Sequence, residues 1–263
     1  FIFKSDDNGN SWTRQNISIP RVSHDITYGA GQWIITTDTE EFMVSTDNGN
    51  TWNKKKAPLA SNLFLRIVYD NNTWIMLYGG YESAIFISTD NCNTWTKKHI
   101  TDSLSVCELY YSNNKIVVAG LGGIFISNDL GNTWLRKPLP SYVSYEYHYG
   151  QAAYCNGVFM YPFYIDTSDK KDFFLIISTD DGSTWIKKQM AHAVSSITFH
   201  NIFWVAVCLD GAILVSIDNG NTWTEKVKSS ELCLRHINSN DSTYIAVGNN
   251  GTILRSSDTV VWQ

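Results

Sequence analysis

Short apolar runs alternate with clusters of Asn, Asp, Gly and Ser along the whole chain, and no segment keeps a helical period. One stretch shows the grammar. Val106-Cys107-Glu108-Leu109-Tyr110-Tyr111 reads as a strand, Ser112-Asn113-Asn114 as a turn, and Lys115-Ile116-Val117-Val118-Ala119-Gly120 as a second strand. Leu121-Gly122-Gly123 is the next break, Ile124-Phe125-Ile126-Ser127 a third strand, and a polar strand follows Trp134. We label the four A to D. Strand A recurs near residues 25–28, 64–69, 151–155, 196–199 and 232–237, and strand B near 33–36, 74–78, 158–162, 203–207 and 244–247. Pro162, inside a B strand, is expected at the strand's end or at a bulge, because proline cannot donate to a ladder.

The turn between C and D is a near-constant octapeptide. It reads STDNGNTW at Ser45–Trp52, SDDNGNSW at Ser5–Trp12, STDNCNTW at Ser88–Trp95, SNDLGNTW at Ser127–Trp134, STDDGSTW at Ser178–Trp185 and SIDNGNTW at Ser216–Trp223. A worn copy, SSDTVVW, runs from Ser256 to Trp262. Successive serines stand 40, 43, 39, 51, 38 and 40 residues apart, a period that marks a propeller or a solenoid. The copies resemble the Asp-box, or BNR repeat, S-x-D-x-G-x-T-W. That family includes sialidases, sortilin-type receptors, xyloglucanases and photosystem II assembly-factor propellers. The resemblance implies an all-β propeller of four-stranded antiparallel blades and leaves function open, because folds host many functions. Physically, Asp and Ser can accept turn N–H groups, Gly permits positive φ, and the Trp returns over the hairpin. Asp6-x-Asn8-x-Asn10 superficially fits a calcium loop, but Ser11 and Ile17 stand where the required Gly and Glu belong, so the turns read as scaffold.

The chain opens at Phe1-Ile2-Phe3, a strand C, so six blades follow a half blade. This favours a seven-bladed ring with two strands upstream, a six-bladed ring being the alternative. The even repeat makes residues 1–263 one domain, read as a segment of a longer chain. Net charge is −5, which gives no basic footprint for nucleic acid, and no apolar run reaches membrane-spanning length. Five cysteines follow no disulfide or zinc spacing and read as reduced thiols; Cys92, in the place of the turn Gly, is expected to be exposed. No cofactor, phosphate-loop or metal motif is present, and the six histidines are scattered.

Antiparallel order places A–B and C–D turns at one end of a blade and B–C and D–A connections at the other. The second end carries the variable loops, where recognition normally sits. The excess length of the 51-residue repeat falls there, in residues 138–149 and 164–172. Aromatic rings beside carboxylates suit a sugar or a protein surface. The expected ligand-binding set is Tyr142, Tyr145, Glu146, Tyr147, His148, Phe163, Tyr164 and Asp166, joined by Tyr81 and Glu82. Packing of these tyrosines on the blade edge is the competing reading. Arg21, Glu40, Glu41 and His192 lie on connections at the same end.

A sialidase needs three arginines gripping a carboxylate. Of six arginines, Arg14, Arg136 and Arg255 fall on outer strands, leaving Arg21, Arg66 and Arg235, with Tyr145-Glu146 as the nucleophile guess. No catalytic residue is assigned. The leading expectation is a non-enzymatic propeller that recognises a glycan or a protein receptor, as in phage tail and fibre or bacterial surface modules, extracellular or virion-associated. The alternatives are a sialidase-type glycoside hydrolase and an assembly scaffold.

Overall fold

The computed structural model describes residues 2–15, 17, 22–58, 64–79, 82–101, 106–120, 122–141, 143, 148–166, 171–228, 231–240 and 243–263. It contains two compact units, Phe1–Ser5 with Trp12–Leu139 and Asp6–Ser11 with Pro140–Gln263.

The first unit holds a two-stranded pair, β1 (Ile2–Lys4) and β2 (Thr13–Gln15), and three four-stranded sheets. The first blade is β3 (Ser23–Gly29), β4 (Gln32–Thr37), β5 (Glu41–Ser45) and β6 (Asn53–Lys56). The second is β7 (Phe64–Asp70), β8 (Thr73–Gly79), β9 (Ser83–Ser88) and β10 (Thr96–Thr101). The third is β11 (Val106–Ser112), β12 (Lys115–Gly120), β13 (Gly123–Ser127) and β14 (Leu135–Lys137). In the second unit the fourth blade comprises β15 (His148–Tyr149), β16 (Ala153–Cys155), β17 (Val158–Asp166), β18 (Lys171–Ser178) and β19 (Ile186–Met190). The fifth is β20 (Val194–His200), β21 (Phe203–Cys208), β22 (Ile213–Ser216) and β23 (Thr224–Val227). The sixth is β24 (Leu234–Ser239), β25 (Tyr244–Gly248) and β26 (Ile253–Ser256). Every sheet is antiparallel and ordered as the chain runs, which is the blade architecture of an all-β propeller. The sixth blade falls short of the four strands expected. Only Gln263 stands in its fourth place, exchanging two backbone hydrogen bonds with Arg255 at 2.8 and 3.1 Å.

Strands B and C read as continuous apolar runs because both of their faces are covered. All of β9 and nearly all of β8 are buried. Ile34, Phe42 and Val44 of the first blade pack with Trp74, Met76 and Phe86 of the second. Ile75, Leu77 and Ile85, on the other face, pack with Leu109, Ile116 and Phe125 of the third. In the second unit Met160, Leu175 and Ile177 meet Ile197, Trp204 and Leu214. The D strands are the opposite: Asn53–Lys56 is mostly exposed, and its lysines keep a sheet edge from pairing with another chain.

The repeated turn closes on itself. Ser45 Oγ donates to Asp47 Oδ1 at 2.8 Å and accepts the Gly49 N–H at 2.8 Å. Asp47 also accepts the Thr51 N–H at 2.8 Å and the Thr51 hydroxyl at 2.5 Å. The same bonds recur at Asp90, Asp129, Asp180 and Asp218. In the worn copy, two consecutive N–H groups, of Val260 and Val261, reach Asp258 at 2.9 Å. These carboxylates are spent on turn donors, as a scaffold role requires. Their pKa values fall accordingly: the Thr51 hydroxyl and N–H, with Ser45, hold Asp47 at about 2.

One local expectation needs correction and another is met. Cys92 is buried, not exposed. The turn glycine position backs onto the preceding blade: a Cβ on Gly131 would lie 3.0 Å from Ile85 and 3.2 Å from Lys98. In the second blade the neighbour leaves room for a small side chain, and Cys92 fills it, at φ 63°, beside Ile34 and Phe42. Pro162 meets the second of its two expected settings: it stands in the middle of β17, paired with Leu175, beside a bulge. Its tolerance comes from the inner neighbour. Tyr149 pairs with Phe163 and Ala153 with Met160, so three residues of the inner strand oppose two of β17. The inner strand bulges beside the proline, splitting into β15 and β16.

Candidate recognition site

The end of each blade opposite the turns is organised by a repeated bulge. The register shifts once in β3, β7, β11, β20 and β24, in each case near the start of the inner strand. The residue after the bulge is polar in all of them: Asp25, Arg66, Glu108, Ser196 and His236. Gln151 is its counterpart in the fourth blade and bridges to Ser196. These side chains reach from blade to blade. In the first unit Asp25 Oδ2 accepts the Ile67 N–H at 2.9 Å, and Arg66 grips Glu108 through Nε and Nη2 at 3.3 and 3.1 Å. In the second, Ser196 donates to Gln151 Oε1 at 3.2 Å and accepts the Ile237 N–H at 3.3 Å. Burial works against the Arg66 charge, but the Glu108 carboxylate, helped by Asp25, raises its pKa on balance. Burial raises the Asp25 pKa despite the Ile67 N–H and Arg66. The row ties adjacent inner strands together beneath the loops and gives them a rigid base.

On this base the fourth blade stands out. β17 and β18 pair over eight positions, from Phe159–Ser178 to Asp166–Lys171, against six for β8 and β9 and four for β21 and β22. At ~3.4 Å per residue, the hairpin projects roughly 7–14 Å beyond its counterparts. β15 joins it there, pairing His148 with Tyr164 and Tyr149 with Phe163. Tyr164, half-buried, meets Phe173 edge-on at 6.3 Å.

Of the expected set, Tyr164 is therefore the aromatic partly open to solvent on this hairpin. Phe163 does not present a face: it is 1% exposed, stacked on Phe174 at 5.2 Å, with the Lys187 ammonium 5.5 Å from its ring. That residue packs the ribbon, and its assignment as a ligand contact is corrected. Glu82 is half-buried and paired with Lys97. His148 and Asp166 are placed by their backbones at the ends of β15 and β17. Tyr81, Tyr142, Tyr145, Glu146 and Tyr147 lie outside the described residues, as does Arg21. Arg66 is committed to Glu108, and Arg235 Nε donates to Asn249 Oδ1 at 3.1 Å. Among the described residues no group of three or more His, Cys, Asp or Glu could hold a metal. No helix is long and apolar enough to cross a membrane among the described residues.

A second feature was missed from sequence. In blade after blade, the second residue past the turn tryptophan folds back toward the start of strand C or the connection before it. Lys54 pairs with Glu41 at 2.9 Å, Lys97 with Glu82, Arg136 Nη2 donates to Gly122 O at 3.0 Å, and Lys187 lies 3.7 Å from the Phe174 ring centre. The fifth blade departs. Glu225 takes the cation's place, and the B–C connection supplies Asp210. His192, from the D–A connection, stands between them, with Nδ1 2.7 Å from Asp210 Oδ2 and Nε2 3.9 Å from Glu225 Oε1.

The architecture is that of a β-propeller, and solved structures agree. The chain is similar to YCF48 bound to a D1 peptide, with a TM-score of 0.71 at 14% identity over 94% of this chain and 82% of that one. YCF48 from Cyanidioschyzon merolae gives 0.70 at 14%, over 92% and 84%. The GH74 xyloglucanase from Xanthomonas campestris gives 0.64 at 12%, over 92% of this chain and 45% of that one. Residues 1–120 match the family model described as Sortilin, neurotensin receptor 3 (Sortilin-Vps10), which is less than half of the chain. No curated protein sequence matches. At these identities the likeness speaks for the fold alone.

Proposed function

We propose that this chain is a non-enzymatic recognition propeller that binds a protein segment or a glycan at the loop end of its blades. The projecting β17–β18 hairpin carries the reading. A blade needs only a short B–C turn to close, as Gly122 and Gly123 show in the third. The hairpin's extra rungs run on past Tyr164–Phe173 to Asp166–Lys171 and add reach, while Phe173 also packs against the core shared with the fifth blade. The same D–A connection lengthens alongside, with Tyr142, Tyr145, Glu146 and Tyr147 in it. The Ser-x-Asp turns, read as Asp-boxes, hold the opposite end as scaffold, and residues 1–263 act as one domain. A similar propeller, YCF48, has been solved with a peptide bound, which favours a peptide or protein ligand over a glycan. An extracellular or virion-associated setting belongs to the same proposal.

Peptide and glycan arrays probed with wild type and with Tyr164→Ala, Tyr145→Ala and Tyr147→Ala test it. A ligand bound by wild type and lost by these variants, with melting temperature unchanged, supports the assignment. Unchanged binding by all three removes the hairpin from the site.

A further inference from the structure

We propose that Asn250 is a site of spontaneous covalent modification, converting to aspartate and isoaspartate through attack by the amide nitrogen of Gly251. The inference goes beyond the recognition reading and does not depend on it.

The chain has five Asn-Gly steps, which begin at Asn8, Asn48, Asn156, Asn219 and Asn250. Asn is a labile residue, and a following Gly puts no Cβ in the way of the reaction. The glycine nitrogen, having lost its proton to solvent base, attacks Cγ of the Asn side chain. The new N–Cγ bond closes a succinimide ring, and the side-chain nitrogen takes up a proton and leaves as ammonia. Water then adds to a ring carbonyl and breaks its bond to nitrogen. Opening at Cγ gives aspartate, and opening at the main-chain carbonyl gives isoaspartate. Attack therefore demands a glycine N–H that base can reach and an Asn that is free to turn.

Backbone conformation does not separate the five, since each Asn is left-handed with φ between 49° and 58°. Their bonds do. Asn48 and Asn219 belong to the repeated turns, and their side-chain oxygens accept Trp33 Nε1 and Trp204 Nε1, each at 3.2 Å. Gly49 and Gly220 are buried and donate to Ser45 Oγ and Ser216 Oγ at 2.8 and 2.9 Å. Asn8, in another copy, is held through its carbonyl by Arg255 Nε at 2.6 Å. Asn156 closes the β16–β17 hairpin, where Gly157 O accepts the Asp181 N–H at 3.0 Å. A Cβ on Gly157 would lie 3.7 Å from Asp181 Oδ1, so a carboxylate opposes the anionic nitrogen there.

The Asn250–Gly251 step escapes these restraints. It lies in the short 3₁₀ turn Asn249–Gly251 between β25 and β26, and both residues are exposed. A Cβ on Gly251 would meet nothing within 4 Å. Among the described residues no serine or tryptophan bonds to either one. The Arg235 guanidinium, whose Nε donates to the adjacent Asn249 Oδ1 at 3.1 Å, favours the anionic nitrogen. Conversion replaces a neutral amide with a carboxylate at the loop end of the sixth blade. The isoaspartate form also lengthens that connection by a backbone atom.

The native chain is incubated at neutral and mildly alkaline pH in ¹⁸O-water, digested and mapped by mass spectrometry, with isoaspartate counted by an isoaspartyl methyltransferase. Asn250 is expected to convert at least about tenfold faster than Asn48 and Asn219, a barrier difference of ~1.4 kcal/mol. The rate should rise with pH, and the product should be a mixture of aspartate and isoaspartate carrying solvent oxygen. In urea the rates at the Asn-Gly steps should converge, because the restraints are gone. Ser45→Ala, which removes the acceptor of the Gly49 N–H, should speed conversion at Asn48 and leave Asn250 unchanged. The assignment is overturned if Asn250 stays intact in the native chain while the urea-unfolded chain converts. A native rate at any other Asn-Gly step equal to or above that at Asn250, or aspartate formed without isoaspartate, overturns it as well.

Discussion

The Arg66–Glu108 pair offers a quantitative test of how the inner row is held. The two residues follow the bulges of neighbouring inner strands, and their side chains are 25% and 6% exposed. Arg66 makes two bonds to the carboxylate and a third, from Nη1, to Leu65 O at 3.2 Å. Such a pair contributes little net stability against an apolar replacement, but breaking it strands a charge. Complete burial sets that cost at about 3–5 kcal/mol. Arg66 keeps some solvent, so Glu108→Gln, which preserves shape and one acceptor, is expected to cost about 2 kcal/mol. Arg66→Met removes both bonds to the deeper group and is expected to cost about 3 kcal/mol or more. The double variant Arg66→Met, Glu108→Leu removes both charges and should recover most of the loss, giving a coupling of at least about 2 kcal/mol. Urea unfolding at low and high salt measures all four proteins. The coupling should survive high salt, because a shielded pair is screened far less than a surface one. Additive losses within about 0.5 kcal/mol, or a coupling that salt erases, would refute the claim that this pair is shielded.

Other outcomes follow from the turns and thiols. Ser45→Ala deprives the buried Gly49 N–H of its acceptor and should cost about 1–3 kcal/mol in urea unfolding, while Thr46→Ala, on the exposed next residue, should stay within about 0.5 kcal/mol. The turn aspartates hold folded pKa values near 2 at Asp47, Asp129, Asp180 and Asp218, below the ordinary 3.8. The unfolded chain therefore takes up protons first as pH falls, so their contribution is complete above pH 3.8 and is lost between 3.8 and about 2; melting temperature should drop through that window, less steeply in Asp47→Asn. Asp25 has the opposite sign. Its folded pKa is raised, so stability falls as pH rises above 3.8, and Asp25→Asn, which keeps an acceptor for the Ile67 N–H, should melt no lower than wild type at pH 7. Burial pushes the Cys92 thiol up to about 12 and raises Cys208 as well, so mass spectrometry should find both unalkylated by iodoacetamide in the native protein and modified in urea.

Six near-copies made the strands legible, because each blade's pattern corrected its neighbours. What escaped was set by contacts between repeats. Cys92 looked exposed because its turn is on the surface, and only the blade behind it makes the position a core site. Phe163 looked like a ligand contact because it sits on a long hairpin, yet strand alternation turned its ring onto Phe174. The inner polar row was invisible as a motif, since Asp25, Arg66, Glu108, Gln151, Ser196 and His236 share no residue type. It was visible as an offset. Each stands eight residues before the residue that pairs with its turn serine: Trp33, Trp74, Ile116, Phe159, Trp204 and Tyr244.

The same offset argument explains why departures from the repeat carry more information than its copies. A position that is cationic in Arg14, Lys54, Lys97, Arg136 and Lys187 is under a shared structural demand, to hold down a connection or shield an edge strand. Glu225 meets neither demand in the same way. It stands across His192 from Asp210, with Nδ1 of the ring 2.7 Å from Asp210 Oδ2 and Nε2 3.9 Å from Glu225 Oε1. The hairpin of the fourth blade belongs to the same unit, at the loop end of its own sheet. An aromatic ring partly open to solvent at that end, Tyr164, is the departure that the proposed function uses. Tyr164→Ala should therefore weaken ligand binding while leaving the melting temperature unchanged.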